Sequence, residues 1–295
     1  IFNNTRVFPA RVFLEKETGA AMELLFLEPV PEPTVAAPVW STMARPGRRL
    51  KPGDTLVLPQ TGRPVCRVME KRDHGVVLFE LLIKESIYDF LNLHGIVPLP
   101  PYIKETLDDG DRYQTVYARD TGSSAAPTAG LHFTPTLLEQ LRNKVETADV
   151  TLHIGMDTFQ PVSAYDVAVH RMHSECVRVP DDTAAALCHA RQSVRRIVAV
   201  GTTSVRTLES WACHCLEQHG ALRPDAYAAR TDLFIHKGYE YKVTDALLTN
   251  FHLPRSTLLI MVSALAGRRL VLRAYAEAVE RGYRFFSFGD AMLIL

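Results

Sequence analysis

Between residues 7 and 83 the apolar positions come in short runs, such as 35–40, 55–58 and 76–82. Between them stand Thr18-Gly19, the proline-rich stretch 29–33, Pro46-Gly47, Pro52-Gly53-Asp54 and Thr61-Gly62. Runs of that length divided by turn-forming residues predict strands that reverse every few residues, in a small barrel or sandwich. The character changes after Ser86. Ile87, Phe90, Leu91 and Leu93 carry a helical period, and VPLPPY then forces an extended connection, which sets a domain boundary there.

Beyond that boundary the period alternates between helix and strand. Thr134-Pro135 ahead of Leu137, Leu138 and Leu141 predicts a capped helix with proline in its first turn, and 148–153 predicts a strand. Asp181 or Asp182 caps a helix reaching about residue 190. A buried strand over 197–200 leads into a helix opened by Thr202 or Thr203 and running to about residue 217, while 258–265 and 270–279 read as helices and 284–288 as a closing strand. The expected fold is α/β: a mixed, largely parallel α/β domain with an inserted small β-barrel domain. Residues 1–8 and 86–295 are assigned to the former and 9–85 to the barrel.

Composition narrows this picture only a little. In 295 residues, 47% are hydrophobic and 22% charged, enough apolar content for two cores. The 33 basic and 33 acidic residues cancel, so a nucleic-acid partner has to be met by a local patch. Residues 45–72 supply one: Arg45, Arg48, Arg49, Lys51, Arg63, Arg67, Lys71 and Arg72 stand against Asp54 and Glu70. That run reads equally as phosphate contacts or as a solvated barrel rim. Five cysteines without a repeating spacing argue against a disulfide framework, and Cys213-His214-Cys215 lacks a second pair at zinc-site distance, so no metal is expected. The longest apolar stretch, 258–266, is far below the roughly 20 residues of a membrane span. A soluble, reducing, cytoplasmic setting is expected, with no membrane partner. The opening IFNNTRVFPAR has neither an initiator Met nor a signal pattern, and reads as entered partway through an element.

Several places offer chemistry. In IVAVGTTSVRTLES a strand ends at Gly201, and Thr202, Thr203 and Ser204 fall at a helix N-terminus, whose free N–H groups favour a carboxylate or ribose; a plain N-cap explains one of them as well. The small residues around Pro127 in GSSAAPTAGLHFT let backbone approach a sugar or base, with His132 beside them, or else mark tight packing. His153 ends a strand ahead of a turn, and His170, His173 and Glu175 follow. The HExxH zinc pattern is absent, so acid–base use ranks above ligation, with a metal-dependent hydrolase as the remoter alternative.

Taken in order, NNTRVFPAR, KPGD, PLPPYI, YQTVYA, AAPTAGLHFT, VTLHIGMDTFQPV, MHSE, VAVGTTSVRTLES, YKVTDALLTNFHLPRSTLLIMVSALAG and YRFFSFGDAM span nearly the whole chain. Their order resembles the S-adenosylmethionine:tRNA ribosyltransferase-isomerase family of queuosine biosynthesis. The resemblance implies transfer and isomerisation of the ribosyl portion of S-adenosylmethionine onto 7-aminomethyl-7-deazaguanine at the tRNA wobble position, giving epoxyqueuosine, adenine and methionine. It implies no prosthetic group, with S-adenosylmethionine as cosubstrate and tRNA as partner. In its light His173 and His132 are the first proton-transfer candidates, and His153 and His252 the next. Glu175 orients His173 or faces the sulfonium. Thr202, Thr203, Ser204 and Arg206 hold the methionyl carboxylate or ribose, with Thr128 in the neighbouring loop. Arg6 and Arg11 meet tRNA phosphate or substrate; Asn250, Ser256 and Thr257 add polar groups, and Asp290 closes the pocket. Two departures stand out. Asp157 replaces a family glycine in GMDTF, and the family begins before the strand that leads into NNTRV. A nucleotide- or RNA-binding protein that kept the fold without catalysis is the alternative these departures leave open.

Overall fold

The computed structural model describes residues 1–32, 35–72, 75–100, 102–103, 110–155, 172 and 174–295. Two compact units divide the chain. One holds Ile1–Arg6, Asp111–Asp120 and Ala126–Leu295, and the other holds Val7–Gly110 and Thr121–Ala125.

In the first unit, β1 (Phe2–Asn3) precedes β2 (Thr5–Val7), with which the chain passes into the second unit. That second unit is a closed barrel of β3 (Arg11–Lys16), β4 (Ala21–Val30), β5 (Val39–Arg45), β6 (Thr55–Val57), β7 (Pro64–Lys71) and β8 (Val76–Leu81), in the order β3-β4-β5-β8-β7-β6. All neighbours pair antiparallel, which turns of a few residues permit. Alternate side chains point inward, so Val12, Leu14, Met22, Leu24, Leu56, Val68 and Phe79 are at most 1% exposed and fill the interior. Phe8, Phe26, Trp40 and Tyr88 pack edge to face beside them. Helix α1 (Ile87–His94) follows, its N-cap Ser86 accepting from Asp89 N.

The chain returns through β9 (Asp120–Ser123), and the first unit continues with α2 (Pro135–Arg142), β10 (Asp149–Leu152), β11 (Glu175–Val179), α3 (Asp181–Gln192), β12 (Val198–Val200), α4 (Thr202–His219), β13 (Tyr227–Thr231), β14 (Ala246–Asn250), α5 (Thr257–Ala266), α6 (Arg268–Glu280) and β15 (Ala291–Ile294). Two ladders form, β1-β10-β11-β13 and β12-β14-β15. Backbone bonds from Ile1 N to Val198 O (2.7 Å) and from Val200 N to Ile1 O (2.9 Å) join them. β1 is parallel to β10 and β12 to β14, whereas β11, β13 and β15 are added antiparallel. The sheet is therefore mixed, and the expected largely parallel arrangement gives way to a parallel centre with antiparallel flanks. The reason lies in the connections. Parallel neighbours need a crossover, supplied by the segment with α4 between β12 and β14, whereas after β14 the chain runs through the α5–α6 pair and comes back beside it in the opposite sense as β15.

Helix α4 buries Val205, Leu208, Trp211, Ala212 and Cys215 along one stripe against this sheet, each at most 3% exposed. Glu209 on the same helix is fully buried, and its carboxylate accepts from Lys242 N, Val243 N, Thr244 N and the Tyr239 hydroxyl. Those four donors replace its lost water and fasten the segment leading into β14. The expected closing strand over 284–288 is instead a tight loop. Phe286 has φ 72° and Asp290 N donates to Arg284 O at 2.8 Å, so the strand starts only at Ala291.

Candidate active site

One edge of the mixed sheet collects most of the candidates. β1, β10, β12 and β14 end there at Asn3, Leu152, Val200 and Asn250. The antiparallel strands add their opposite ends: Glu175 pairs with Thr231 across β11 and β13, and Ala291 faces Asn250. The carboxyl edge of parallel strands is where α/β sheets bind ligands, because the loops there leave the sheet with their backbone groups free.

Asn3 is the hub of this edge. Its Nδ2 donates to Leu152 O (3.1 Å) and to Thr203 Oγ1 (3.0 Å), while Oδ1 accepts from Thr5 N (3.2 Å) and Leu152 N (3.0 Å). Every capacity of the buried amide is used, which ties the first turn of α4 to the end of β10. Next along the chain, His153 Nδ1 lies 2.8 Å from Thr5 Oγ1. Burial lowers the His153 pKa and the Asp120 carboxylate partly opposes it. Asp120 Oδ2 also accepts from Thr151 (3.0 Å), whose hydroxyl reaches Asn4 Oδ1 as well (2.8 Å).

The strand into α4 turns at Gly201 with φ 86°, a conformation open to glycine, and no side chain caps the helix. Thr202 and Thr203 stand at that open N-terminus. Ser204 and Thr207 use their hydroxyls differently, donating back to Val200 O (2.7 Å) and Thr203 O (3.0 Å). One turn on, Arg206 is buried. Its Nη1 pairs with Glu175 and its Nη2 donates to Thr231 O at 3.2 Å; Glu175 Oε1 in turn accepts from Gly155 N at 3.0 Å. Arg206 and Glu175 thus hold each other, linking α4, β11, β13 and the turn after His153.

Ala129, in the turn Thr128–His132, packs with Val200 and Phe2. Gly130 is required in that turn, because a Cβ there would fall 1.9 Å from the Tyr117 hydroxyl. The turn delivers His132 to Asn250. Asn250 Nδ2 donates to Phe286 O (3.0 Å) and lies 3.2 Å from His132 Nε2. Two backbone carbonyls, Phe286 O and Ser287 O at 3.5 Å, identify that amide atom as the nitrogen. His132 Nε2 therefore accepts, and the neutral ring carries its proton on Nδ1. Burial lowers the His132 pKa, with Asp290 raising it and Arg284 lowering it further. Asp290 itself is held ionised, its Oδ2 accepting from Arg284 N (2.7 Å) and Oδ1 from the guanidinium (3.2 Å).

The remaining candidates make other contacts. His252 Nε2 lies 3.0 Å from Thr249 Oγ1, and burial pushes its pKa down to about 4. Ser256 caps α5, accepting from Leu259 N (3.2 Å) and donating to Leu253 O (2.7 Å), with Thr257 the first helical residue. Thr128 opens the turn before His132. Arg6 is exposed. Arg11 belongs to the barrel unit, where it pairs with Glu23 at 3.1 Å. His173, His170 and Asp157 lie outside the described residues. Among the described residues no three His, Cys, Asp or Glu side chains are grouped to hold a metal ion. No described helix is long and apolar enough to cross a membrane. Sequence reasoning missed Asn3, Thr5, Asp120, Thr231 and Glu209. For Asn3 the only signal was an asparagine pair behind two apolar residues.

The family model described as queuosine biosynthesis protein matches residues 1–294. A protein of Symbiobacterium thermophilum named S-adenosylmethionine:tRNA ribosyltransferase-isomerase is 48% identical over 297 residues, covering 100% of this chain and 84% of its own. Proteins of the same name from Thermotoga maritima and Staphylococcus haemolyticus are 47% and 46% identical, with 83% and 84% of their lengths covered and 100% of this chain. A solved structure of an S-adenosylmethionine tRNA ribosyltransferase from Thermotoga maritima is 35% identical, covers 100% of this chain and 81% of its own, and superposes with a TM-score of 0.48.

Proposed function

The chain belongs to the queuosine biosynthesis protein family and is a tRNA ribosyltransferase-isomerase that uses S-adenosylmethionine, and from that premise we propose its substrates and the roles of its residues. The ribosyl portion of S-adenosylmethionine is transferred and isomerised onto 7-aminomethyl-7-deazaguanine at the wobble position of tRNA. Epoxyqueuosine in the tRNA, adenine and methionine are the products, and the enzyme works in the cytoplasm. One observation carries this reading: open helix N–H groups, two imidazoles and a fixed carboxylate lie along a single sheet edge.

The sulfonium makes the adjacent 5′ carbon acidic, so a base that takes that proton opens the sugar and expels adenine, which leaves better when protonated. The neutral aminomethyl nitrogen then attacks, and methionine departs. Both His153 and His132 are held below the ordinary imidazole pKa by burial, which supports neutral rings at physiological pH. The Thr5 hydroxyl donates to Asp120 O (3.4 Å), which leaves its oxygen to accept from His153 Nδ1–H, and in that tautomer Nε2 is the nitrogen that takes a proton. With Nε2 of His132 engaged by Asn250, its Nδ1–H is the donor. His173 remains a candidate for the first proton step and His252 a lesser one.

Thr202, Thr203 and the uncapped amides of α4 receive the methionyl carboxylate or a ribose hydroxyl. Arg206 and Glu175 act as positioning residues, because each is the other's partner. Thr128, Ser204, Asn250, Ser256 and Thr257 shape the walls, Asp290 anchors the loop beside His132, and Arg6 meets phosphate. Incubating the protein with S-adenosylmethionine and tRNA bearing the modified base tests the reading. Equimolar adenine and methionine are expected, and S-adenosylhomocysteine in their place would overturn it.

A further inference from the structure

The basic run of the barrel is two different sets of residues. Arg63, Arg67 and Arg72 are each answered by a carboxylate, with Glu85 at 2.8 Å, Glu80 at 3.3 Å and Glu70 at 3.1 Å. Arg45, Arg48, Arg49 and Lys51 are exposed and form no ion pair among the described residues. All four sit on or beside the single turn Gly47–Arg49 that leaves β5. Two further cations are drawn to that turn. Lys16 Nζ donates to Arg49 O (3.1 Å), and Lys71 Nζ donates to Leu50 O (3.2 Å). The counter-charge nearby is Asp54, already used by Lys16 Nζ (2.8 Å) and Lys51 N (2.7 Å). Glu23 lies across from Arg45 in the ladder, but its Oε1 is taken by Arg11.

Like charges gathered on one turn repel one another; water and salt screen part of that repulsion, and an anion from outside is attracted to what remains. The chain carries no net charge, so this concentration is a local feature and not part of a general positive field. Leu50, which closes the turn, is buried and Pro46 is its one exposed apolar neighbour, so the surface offers chiefly guanidinium forks and ammonium groups. That chemistry fits phosphodiesters, which arginine grips through two parallel N–H donors.

We propose that Arg45, Arg48, Arg49 and Lys51, with Lys16 and Lys71 behind them, form the barrel's contact to the phosphate backbone of the tRNA, and that the paired arginines 63, 67 and 72 do not. This rests on tRNA being the substrate, as proposed above.

The experiment measures tRNA affinity against salt for the intact protein, R48E/R49E, the milder R48Q/R49Q, and the charge swap R67E/E80R. In R48E/R49E binding falls at least about tenfold at moderate salt, and the slope of log affinity against log salt shrinks by about 0.9 for each phosphate that is no longer neutralised. R48Q/R49Q shows the same trend at smaller size, which keeps the test valid if charge reversal impairs folding. The swap leaves both quantities unchanged, and the KM for S-adenosylmethionine is the same in all four proteins. Wild-type affinity and slope in a folded R48Q/R49Q or R48E/R49E protein would overturn the assignment. Wild-type protein that binds the tRNA through this corner yet releases no adenine would overturn the transferase reading and leave the surface standing.

Discussion

The edge of the mixed sheet and the turn at Gly47–Arg49 treat charge in opposite ways. At the sheet edge Glu175 and Arg206 are 6% and 4% exposed, and each oxygen of Glu175 has an assigned donor. At the barrel turn Arg45, Arg48 and Arg49 are exposed and, among the described residues, form no ion pair. A charge buried without compensation is costly, so the sheet edge keeps only charges whose partners the backbone already holds in place, and those pairs then fix geometry. An exposed charge costs little to leave unpaired and acts over a distance set by salt. Catalytic positioning and long-range attraction are therefore suited to different regions of this chain.

Removing one member of the buried pair tests the contrast most severely. Arg206→Met leaves the Glu175 carboxylate without its cation and lowers stability by about 3–5 kcal/mol, whereas Glu175→Gln with Arg206→Met regains much of that. Urea denaturation of the three proteins decides it, and an unshifted midpoint in the single variant would count against a buried pair.

Smaller in stability but large in turnover is Asn250→Ala, which frees the His132 ring. Turnover is expected to drop by about 10²-fold, the scale of a misplaced catalytic group. Asn250→Asp replaces an N–H donor with a carboxylate that accepts from Nε2 and stabilises the imidazolium, so the pH profile shifts upward. Nitrogen NMR of the His132 ring reports the tautomer directly, and an Nε2–H signal in the wild type would refute the arrangement.

Third is acid sensitivity. His252 has its pKa lowered from 6.5 to about 4, so the folded state binds its proton less readily than the unfolded chain. The linked stability is complete above pH 6.5 and is lost as pH falls toward 4. His252→Gln should flatten that part of the thermal-stability profile, and an equally steep decline in the variant would assign it elsewhere. The smallest effect belongs to the barrel surface. Breaking Arg67–Glu80 by Arg67→Ala should change stability by less than about 1 kcal/mol, measured by thermal unfolding.

Much of the local framework was readable along the chain. Thr134 caps α2 ahead of Pro135, as its pattern predicts, and Thr202 opens a helix after a short strand of which Ala199 and Val200 are buried. The closing strand was misplaced, because Phe285 and Phe286 have the composition of a strand but sit in a loop held by Asp290 and Asn250. The same limit applies to the charges. Residues 45–72 read as one basic run, yet the carboxylates that divide it include Glu80 and Glu85, beyond the end of the run.

What the sequence by itself determined is the short-range part: turns, caps, helical stripes and strand alternation, all set by neighbours a few residues apart. The ordered series of blocks also determined the family. Tertiary structure alone decided which side chains meet. Asn3 and Leu152 are 149 positions apart, Asn250 and His132 118, and Arg206 and Glu175 31. No local pattern encodes such pairings. They exist because the parallel strands bring their carboxyl ends, and the antiparallel β11 its amino end, to one edge, where groups removed from water take whichever partners the fold has brought within reach.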